Sequence, residues 1–472
     1  MTFDPHFAAD DAAAIPVLPL DKASFRSWLA EQSVARQDWV DATGFNAEAG
    51  SLILLPGADG RLDSVLFGWD KSDFWSWAQL PGKLPPGQFR LAATLTPSQA
   101  DAAALGWGLA NYQFTELKRA KNGAAAKPHL CWPPNANRPL TLRLLAGIAL
   151  ARDLINRPAN ALGPAELAGA AEKLAAERGA SCRVIVGDAL LTENYPAIHA
   201  VGRAASRAPR LIDLRWGEPD QPKLTLVAKG VCFDSGGLDL KSAANMKIMK
   251  KDMGGAAVAL GLASAIMDAE MPLRLRVLIP AVENAVSGDA FRPLDVISTR
   301  KGLSVEIGNT DAEGRLILCD ALTEADSEKP DWLIDLATLT GAARVALGPD
   351  LPALFTPDDE LAAQLLAAGQ RSHDPLWRMP LWGPYRRQLD SKIADLNNAN
   401  DNPHAGAITA ALFLAEFVSP ARKWAHIDLF AWNPGARPGR PEGGEAMSLR
   451  ALYHAIALRF ASSTIAANLP VG

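Results

Sequence analysis

Histidine is scarce in this chain, with seven in 472 residues, and no two stand at the HExxH spacing by which a helix presents a zinc ion beside a general base. His6, His129, His199, His373, His404, His426 and His454 therefore read as structural or surface residues. Cysteine is scarcer still. Cys131, Cys182, Cys232 and Cys319 form no CxxC pair, which excludes a thiolate zinc knuckle and a disulfide framework and points to reduced, mostly buried thiols in a cytoplasmic protein. The start of the chain, Met1 to His6, shows neither the basic nor the apolar segment of a secretory signal. The longest apolar run, Met253 to Met267, falls short of the roughly 18 residues a membrane span needs and reads as a buried helix. Positive charge is not in excess. Lys and Arg number 47 against 52 Asp and Glu, a net charge of −5, which argues against a nucleic-acid binder held by bulk electrostatics. The local basic patch Lys241, Lys247, Lys250 and Lys251 reads as a solvated helix face plus one functional lysine.

What the chain does have is material for burial. At 49 % hydrophobic and 21 % charged, it is long enough for two domains with a large core in at least one. Residues 1–135 read as a small N-terminal α/β domain: an amphipathic stretch from Phe25 to Val40, β-type runs at Ser51–Leu55 and Ser64–Gly68, and a helix from Thr96 to Lys118. Trp69, Trp75 and Trp77 read as packing residues. A linker by composition follows, at Asn122–Pro128 and Pro133–Asn135. Residues 136–472 alternate helical patterns with short β-rich runs at Leu224–Val227, Leu273–Ile279, Ser304–Ile307, Trp332–Leu336 and Trp424–Leu429. Such alternation predicts a largely parallel sheet flanked by helices on both faces, with ligands bound beyond the carboxyl ends of its strands.

Two loops at those ends carry unusual chemistry. Asn309-Thr310-Asp311-Ala312-Glu313-Gly314-Arg315-Leu316 packs two carboxylates and a guanidinium into five residues. Salt-bridged helix faces space opposite charges three or four apart, whereas these alternate at spacing two, on what reads as a strand end turning into a helix from Leu316 to Ala325. Clustered carboxylates with no local base demand a cation, and an oxygen-rich set suits a divalent metal. The second loop follows Leu226-Val227-Ala228 and holds Lys229, Asp234 and Lys241, with Asp252 downstream in Lys250-Lys251-Asp252-Met253-Gly254-Gly255, a helix-like stretch reaching Met267.

Taken together, Lys229, Asp234, Lys241, Asp252, Asp311, Glu313 and Arg315 resemble, in order, the leucyl aminopeptidase (cytosol aminopeptidase) family of dinuclear metallopeptidases. Supporting stretches run from Arg152–Asn160 through Asp335–Gly341 to Ile408–Ala411 and His426–Asp428, so the resemblance covers roughly residues 140–460. It implies a hydrolase with two divalent ions, zinc or manganese, bridged by Asp234 and Glu313, with Asp311 completing one site and Lys229 and Asp252 the other. As a ligand Lys229 must be neutral, and removing its proton at pH 7 costs about 4 to 5 kcal/mol, which coordination has to offset. The resemblance further implies that Lys241 keeps its charge and stabilises the oxyanion, that Arg315 holds a bicarbonate acting as general base, and that the assembly is a homohexamer. Substrates would be peptides with a free N-terminus. Their first side chain would meet Met249, Asn309, Thr338, Leu339, Gly341 and the region after Asp428.

The chain departs from that pattern twice. Phe430 stands where small residues commonly line the side-chain pocket; it either narrows the pocket or, as strand residues alternate, packs into the other face of the sheet. Leu294, in Arg292-Pro293-Leu294-Asp295, stands where the family usually has glycine. Competing readings are a dinuclear phosphoesterase, disfavoured by histidine-poor ligation with a lysine, an architectural DNA-binding protein, disfavoured by the acidic balance, and an inactive homologue, disfavoured by the complete ligand set.

Overall fold

The structure, a computed structural model, describes residues 6–9, 13–118, 127–399 and 402–461. The chain divides into two compact units, one formed by residues up to Ala146 together with Gly435–Glu442, the other by Gly147–Pro434 together with the chain from Gly443.

The smaller unit is built on a six-stranded sheet in the order Phe7–Ala8, Pro128–Cys131, Gly87–Leu91, Ile15–Leu20, Leu62–Gly68, Leu52–Pro56, parallel except for the last pair. The amphipathic stretch near Phe25 is two helices, Lys22–Ala30 and Val34–Thr43. The helix expected from Thr96 to Lys118 spans Pro97–Ala110. Thr96 and Gln99 close a capping box at its start, and Asn111 ends it by turning its own amide onto Trp107 O at 3.0 Å. Trp69 and Trp77 are buried, 4.8 Å apart between ring centroids. Of the expected linker, Asn122–Ala126 lies outside the described residues, and Pro128 already belongs to a strand.

The larger unit holds a nine-stranded sheet. Its path runs Trp377–Arg378, Ala353–Phe355, Trp424–Asp428, Trp332–Ala337, Lys223–Ala228, Arg274–Asn284, Arg210–Trp216, Ser181–Val186, and Gly230–Asp234 also pairs with Arg274–Asn284. The central strands are parallel; antiparallel pairing is confined to Ala353–Phe355 with Trp424–Asp428 and to the edge beyond Arg274–Asn284. Leu224 to Ala228 are buried without a break, and since side chains alternate along a strand, both faces of the sheet are covered. Helices Gly254–Asp268 and Glu313–Ser327 each pack against the three strands Lys223–Ala228, Arg274–Asn284 and Trp332–Ala337. The first is buried over nearly its whole length, as its apolar sequence predicts. Among the described residues no helix is long and apolar enough to cross a membrane.

One expected strand lies elsewhere. Ser304–Glu306 is not part of the main sheet but the middle strand of a separate three-stranded sheet, between Val296–Ser298 and Leu396–Asn397. The hairpin with Val296–Ser298 redirects it, closed at its open end by Leu294 N–H onto Ile307 O (2.7 Å) and Ile307 N–H onto Asp295 O (2.9 Å).

That closure explains the second departure in the sequence. Leu294 sits at φ +69°, the left-handed region that glycine tolerates and a γ-branched side chain does not, and its side chain projects into solvent. Leu294→Gly should therefore raise stability by about 1 kcal/mol by releasing backbone strain, despite glycine's larger unfolded-state entropy. Denaturant midpoints of the two proteins measure this; a destabilised glycine variant would show that Leu294 contributes packing outweighing its strain.

Candidate metal centre

Lys229 is placed by a step in the sheet. Strand Lys223–Ala228 runs between Trp332–Ala337 and Arg274–Asn284, then the chain shifts sideways and resumes as Gly230–Asp234 against Ala281–Asn284. At the step Lys229 N–H donates to Leu336 O (2.9 Å) and its carbonyl accepts from Ala256 N–H (3.0 Å), so the backbone is satisfied while the side chain turns inward. The room it occupies is left by Gly314: a Cβ there would lie 2.6 Å from Lys229 Cε and 2.8 Å from Nζ.

Asp234 ends the resumed strand. Gly236 and Gly237, at φ +89° and +66°, fold the following loop back, and Lys241 N–H reaches Ser235 O at 3.0 Å. Lys241 Nζ then lies 2.8 Å from Asp234 Oδ2 and pairs with Asp311 Oδ1. Asp252 comes from the 3₁₀ turn Met249–Met253 ahead of helix Gly254–Asp268, and Glu313 is the first residue of helix Glu313–Ser327. Ligand atoms of Asp234, Asp252 and Glu313, all buried, lie within 4.8 Å of one another. Lys229 Nζ stands among them, 2.7 Å from Asp252 Oδ2, 2.9 Å from Glu313 Oε1 and 3.1 Å from Thr338 O. Arg315 does not join the cluster directly. Its Nη1 donates to Asn398 O, and its buried Nε has no hydrogen-bond partner.

Burial and crowding shift these groups in opposite directions. Burial, reinforced by neighbouring carboxylates, pushes Glu313, Asp252 and Asp311 up from the usual carboxylate range. It acts on Asp234 too, but Lys241 and Lys229 together outweigh it and hold that carboxyl down. Both lysines resist burial because of their anionic neighbours: Lys229 is held above its ordinary value chiefly by Asp252, Glu313 and Asp234, and Lys241 by Asp234, Glu313 and Asp311. Burial lowers Arg315 to about 10.

The donor set fits a divalent metal. Asp252 Oδ2, Glu313 Oε1 and Asp311 Oδ1 are buried within ion-pair distance of a lysine yet accept no well-directed hydrogen bond. Carboxylate oxygens with one lysine nitrogen make a hard, oxygen-rich site. Above it opens a cavity of about 310 Å³ whose wall includes Lys229, Asp234, Lys241, Asp252 and Asp311. Met249, Thr338, Leu339, Gly341 and Phe430 line the same cavity. Glu313, Arg315 and Asn309 are not part of that wall; Asn309 is exposed, and its Oδ1 caps Asp311 N–H at 2.7 Å. Phe430 follows strand Trp424–Asp428 rather than lying in it, half-buried, with Lys251 Nζ and Arg344 Cζ each 4.9 Å from its ring centre.

Several contacts went unread in the sequence. Asn284 Nδ2 donates to Asp234 Oδ1 (2.9 Å) and Thr310 O (3.1 Å), tying the two acidic loops together. Its signal was present, a polar residue closing an eleven-residue strand at the carboxyl edge. Thr338 Oγ1 donates to Asp252 Oδ1 at 2.8 Å and fixes that carboxylate. Lys251 corrects the reading of the basic patch as a solvated face: it is 5 % exposed and lines the cavity, while Lys250 donates to Asn156 O at 2.6 Å. Histidine stays apart from the cluster: His426, fully buried, pairs with Asp335. Cys232 and Cys319 are buried in strand and helix, and their thiols face backbone carbonyls.

A buried lysine and carboxylate cluster at the carboxyl edge of a sheet covered on both faces defines a metal-binding α/β protein. Comparison makes this specific: the cytosol aminopeptidase family catalytic domain matches residues 149–453, and the M17 aminopeptidase N-terminal domain matches residues 15–131, extending the likeness into the first third of the chain. The chain belongs to the cytosol aminopeptidase family. It is 48 % identical over 310 residues to a "Probable cytosol aminopeptidase" of Syntrophotalea carbinolica and 45 % identical over 307 residues to one of Stenotrophomonas maltophilia. These alignments cover 65 % and 64 % of this chain, and each spans 62 % of the relative's length. The crystal structure of cytosol aminopeptidase from Coxiella burnetii superposes with a TM-score of 0.92 at 48 % identity, covering 97 % of this chain and 100 % of that one. The bottromycin maturation enzyme BotP in complex with Mn superposes at 0.85 with 33 % identity, over 94 % of this chain and 99 % of that one.

Asp311→Ala or Glu313→Ala should remove at least one bound metal per chain while leaving the fold intact, since each deletes a carboxylate that burial and acidic neighbours already disfavour. Metal stoichiometry and circular dichroism on the same samples test this; two ions retained in both variants would sink the assignment of these ligands. Metal binding should also release a proton, because Lys229, held protonated by the carboxylates around it, must lose one to act as a ligand. Affinity for Mn²⁺ should thus rise with pH, about tenfold per unit for each proton released. Titration calorimetry between pH 6 and 8.5, in buffers of differing ionisation enthalpy, reads both slope and proton count.

Proposed function

We propose that this chain is a metal-dependent aminopeptidase that removes N-terminal residues from peptides by means of two divalent ions, zinc or manganese. The observation that carries it is the buried set Asp234, Asp252 and Glu313 around Lys229, with Lys241 beside it at the wall of a cavity. Asp234, Glu313 and Asp311, with Lys229 and Asp252, would hold the pair. Ions held there would acidify a water and polarise the scissile carbonyl.

The chain's own residues supply the rest. Lys241, kept charged by its carboxylate neighbours, places an ammonium where the carbonyl oxygen gains charge; preorganised charge of this kind acts without rearrangement during reaction. Among the described residues no histidine reaches the cavity wall. Arg315, with its unpartnered Nε, is the residue that would hold bicarbonate, the general base this reading calls for. Asp252, beside the first site, suits a free α-amine, so a peptide with an open N-terminus is anchored where an internal bond is not. Thr338 holds Asp252 in place, and Met249, Leu339, Gly341 and Phe430 face the first side chain, with Asn309 supporting Asp311 from outside the cavity. Family membership supports a homohexamer, and the relatives' names support a cytosolic setting.

The direct test is hydrolysis, by metal-loaded protein, of one peptide with its N-terminus free or acetylated. Release of the first residue from the free peptide alone is expected; equal cleavage of both would end the aminopeptidase reading. Lys241→Ala should lower turnover by about 10² to 10³ with metal content unchanged, whereas Lys229→Ala should lose metal. Equal metal loss in both variants would show their roles exchanged.

A further inference from the structure

Beside the metal centre, the cavity wall carries two cations that the hydrolytic chemistry does not use. Lys251 is 5 % exposed and lines the cavity. Among the described residues the only carboxylate within ion-pair distance of its Nζ is Asp252, 4.0 Å away, and that carboxylate is already engaged, Oδ2 by Lys229 at 2.7 Å and Oδ1 by Thr338 at 2.8 Å. Arg344, exposed on the short helix Gly341–Leu347, enters the same wall and has no carboxylate within ion-pair distance among the described residues. Both cations lie 4.9 Å from the centre of the Phe430 ring. Cation–π contact steadies both groups but leaves their N–H donors without anionic acceptors.

The other carboxylates facing the cavity cannot serve them. Asp428 Oδ1 accepts Leu339 and Thr340 N–H at 3.0 and 3.2 Å, and its Oδ2 accepts Thr340 Oγ1 at 2.6 Å. Asp239 Oδ2 accepts Thr310 N–H at 2.7 Å and Thr310 Oγ1 at 3.1 Å. Asp234 and Asp311 are paired with Lys241. A buried ammonium whose nearest carboxylate is 4.0 Å away and shared with Lys229 is poorly compensated, and a ligand that brings a closer anion relieves that cost.

We propose that this pocket selects peptides whose first residue is acidic, glutamate or aspartate, with Lys251 and Arg344 as specificity-determining residues. The inference rests on the aminopeptidase reading and narrows it. Met249 and Leu339, in the same wall, would pack against the methylene stem of glutamate, while its carboxylate meets Lys251 and Arg344 beside Phe430. A leucyl side chain of similar size would press hydrocarbon against Lys251 and leave its donors unpartnered. A site built around a polar group discriminates strongly against an analogue that cannot satisfy it.

The experiment compares kcat/KM of the manganese-loaded protein on glutamyl, aspartyl, leucyl and phenylalanyl anilides, with metal content measured for every variant. Glutamyl substrate should exceed leucyl by at least about tenfold. Lys251→Met should lower that ratio by a similar factor, Lys251→Arg should preserve it, and Arg344→Ala should lower glutamyl turnover while leaving leucyl turnover within about twofold. As a readout independent of turnover, free glutamate should inhibit wild type more strongly than free leucine, and Lys251→Met should reverse the order. If Lys251→Met loses metal, Arg344→Ala, altered only at the exposed side, decides. Leucyl preference in the wild type, or an unchanged glutamyl to leucyl ratio in metal-replete variants, overturns the proposal and leaves the aminopeptidase reading standing. No hydrolysis of any anilide overturns that reading instead.

Discussion

Like charges forced into one buried volume are the constraint on which this structure turns. Asp234, Asp252 and Glu313 approach within a few ångströms of each other in the interior, a geometry that carboxylates do not hold unaided. Lys229 and Lys241 make it tenable in the metal-free protein, and the surrounding architecture exists to place those two ammonium groups. The sideways step of the chain at Lys229 turns that side chain inward, Gly314 vacates the space it fills, and Gly236 and Gly237 bend the loop that returns Lys241 to Asp234. Asn284 then locks the two acidic loops to each other. Losing Lys229 would leave Asp252 and Glu313 buried without the ammonium both face, which is more damaging than the loss of an exposed pair.

The sheet supplies the rigidity that such a cluster requires. Strands buried on both faces hold the loop ends to narrow positions, and every member of the acidic cluster leaves a strand end, a helix start or the turn between. Precision at the site is inherited from packing that lies below it. The cavity above is also lined by an aromatic ring and two cations: Phe430 on the loop after Asp428, Arg344 on a short exposed helix, and Lys251 on the same 3₁₀ turn that carries Asp252.

Much of this was legible in the sequence, and the reason is local. Acidic residues at spacing two between glycines do not pair as a salt-bridged helix face does, and Asp234, after an apolar β-type run, ends a strand of the main sheet. The alternation of helix and strand likewise announced the parallel sheet. What sequence concealed was pairing at long range. Ser304–Glu306 has the pattern of a central strand, yet its partners lie in a separate small sheet. Lys251 sits in a run of lysines that resembles a solvated face, and only the 3₁₀ turn before Asp252 shows that successive residues there point to opposite environments, Lys250 toward Asn156 and Lys251 into the cavity. Asn284 and Thr338 act through contacts spanning 50 and 86 residues. Leu294 was visible as a departure, but its meaning needed the left-handed backbone.

The two lysines have one more consequence. Two ammonium groups of the chain itself stand inside the ring of carboxylates, so the counter-charge is written into the polypeptide, and any cation that joins them has to compete with a tethered one.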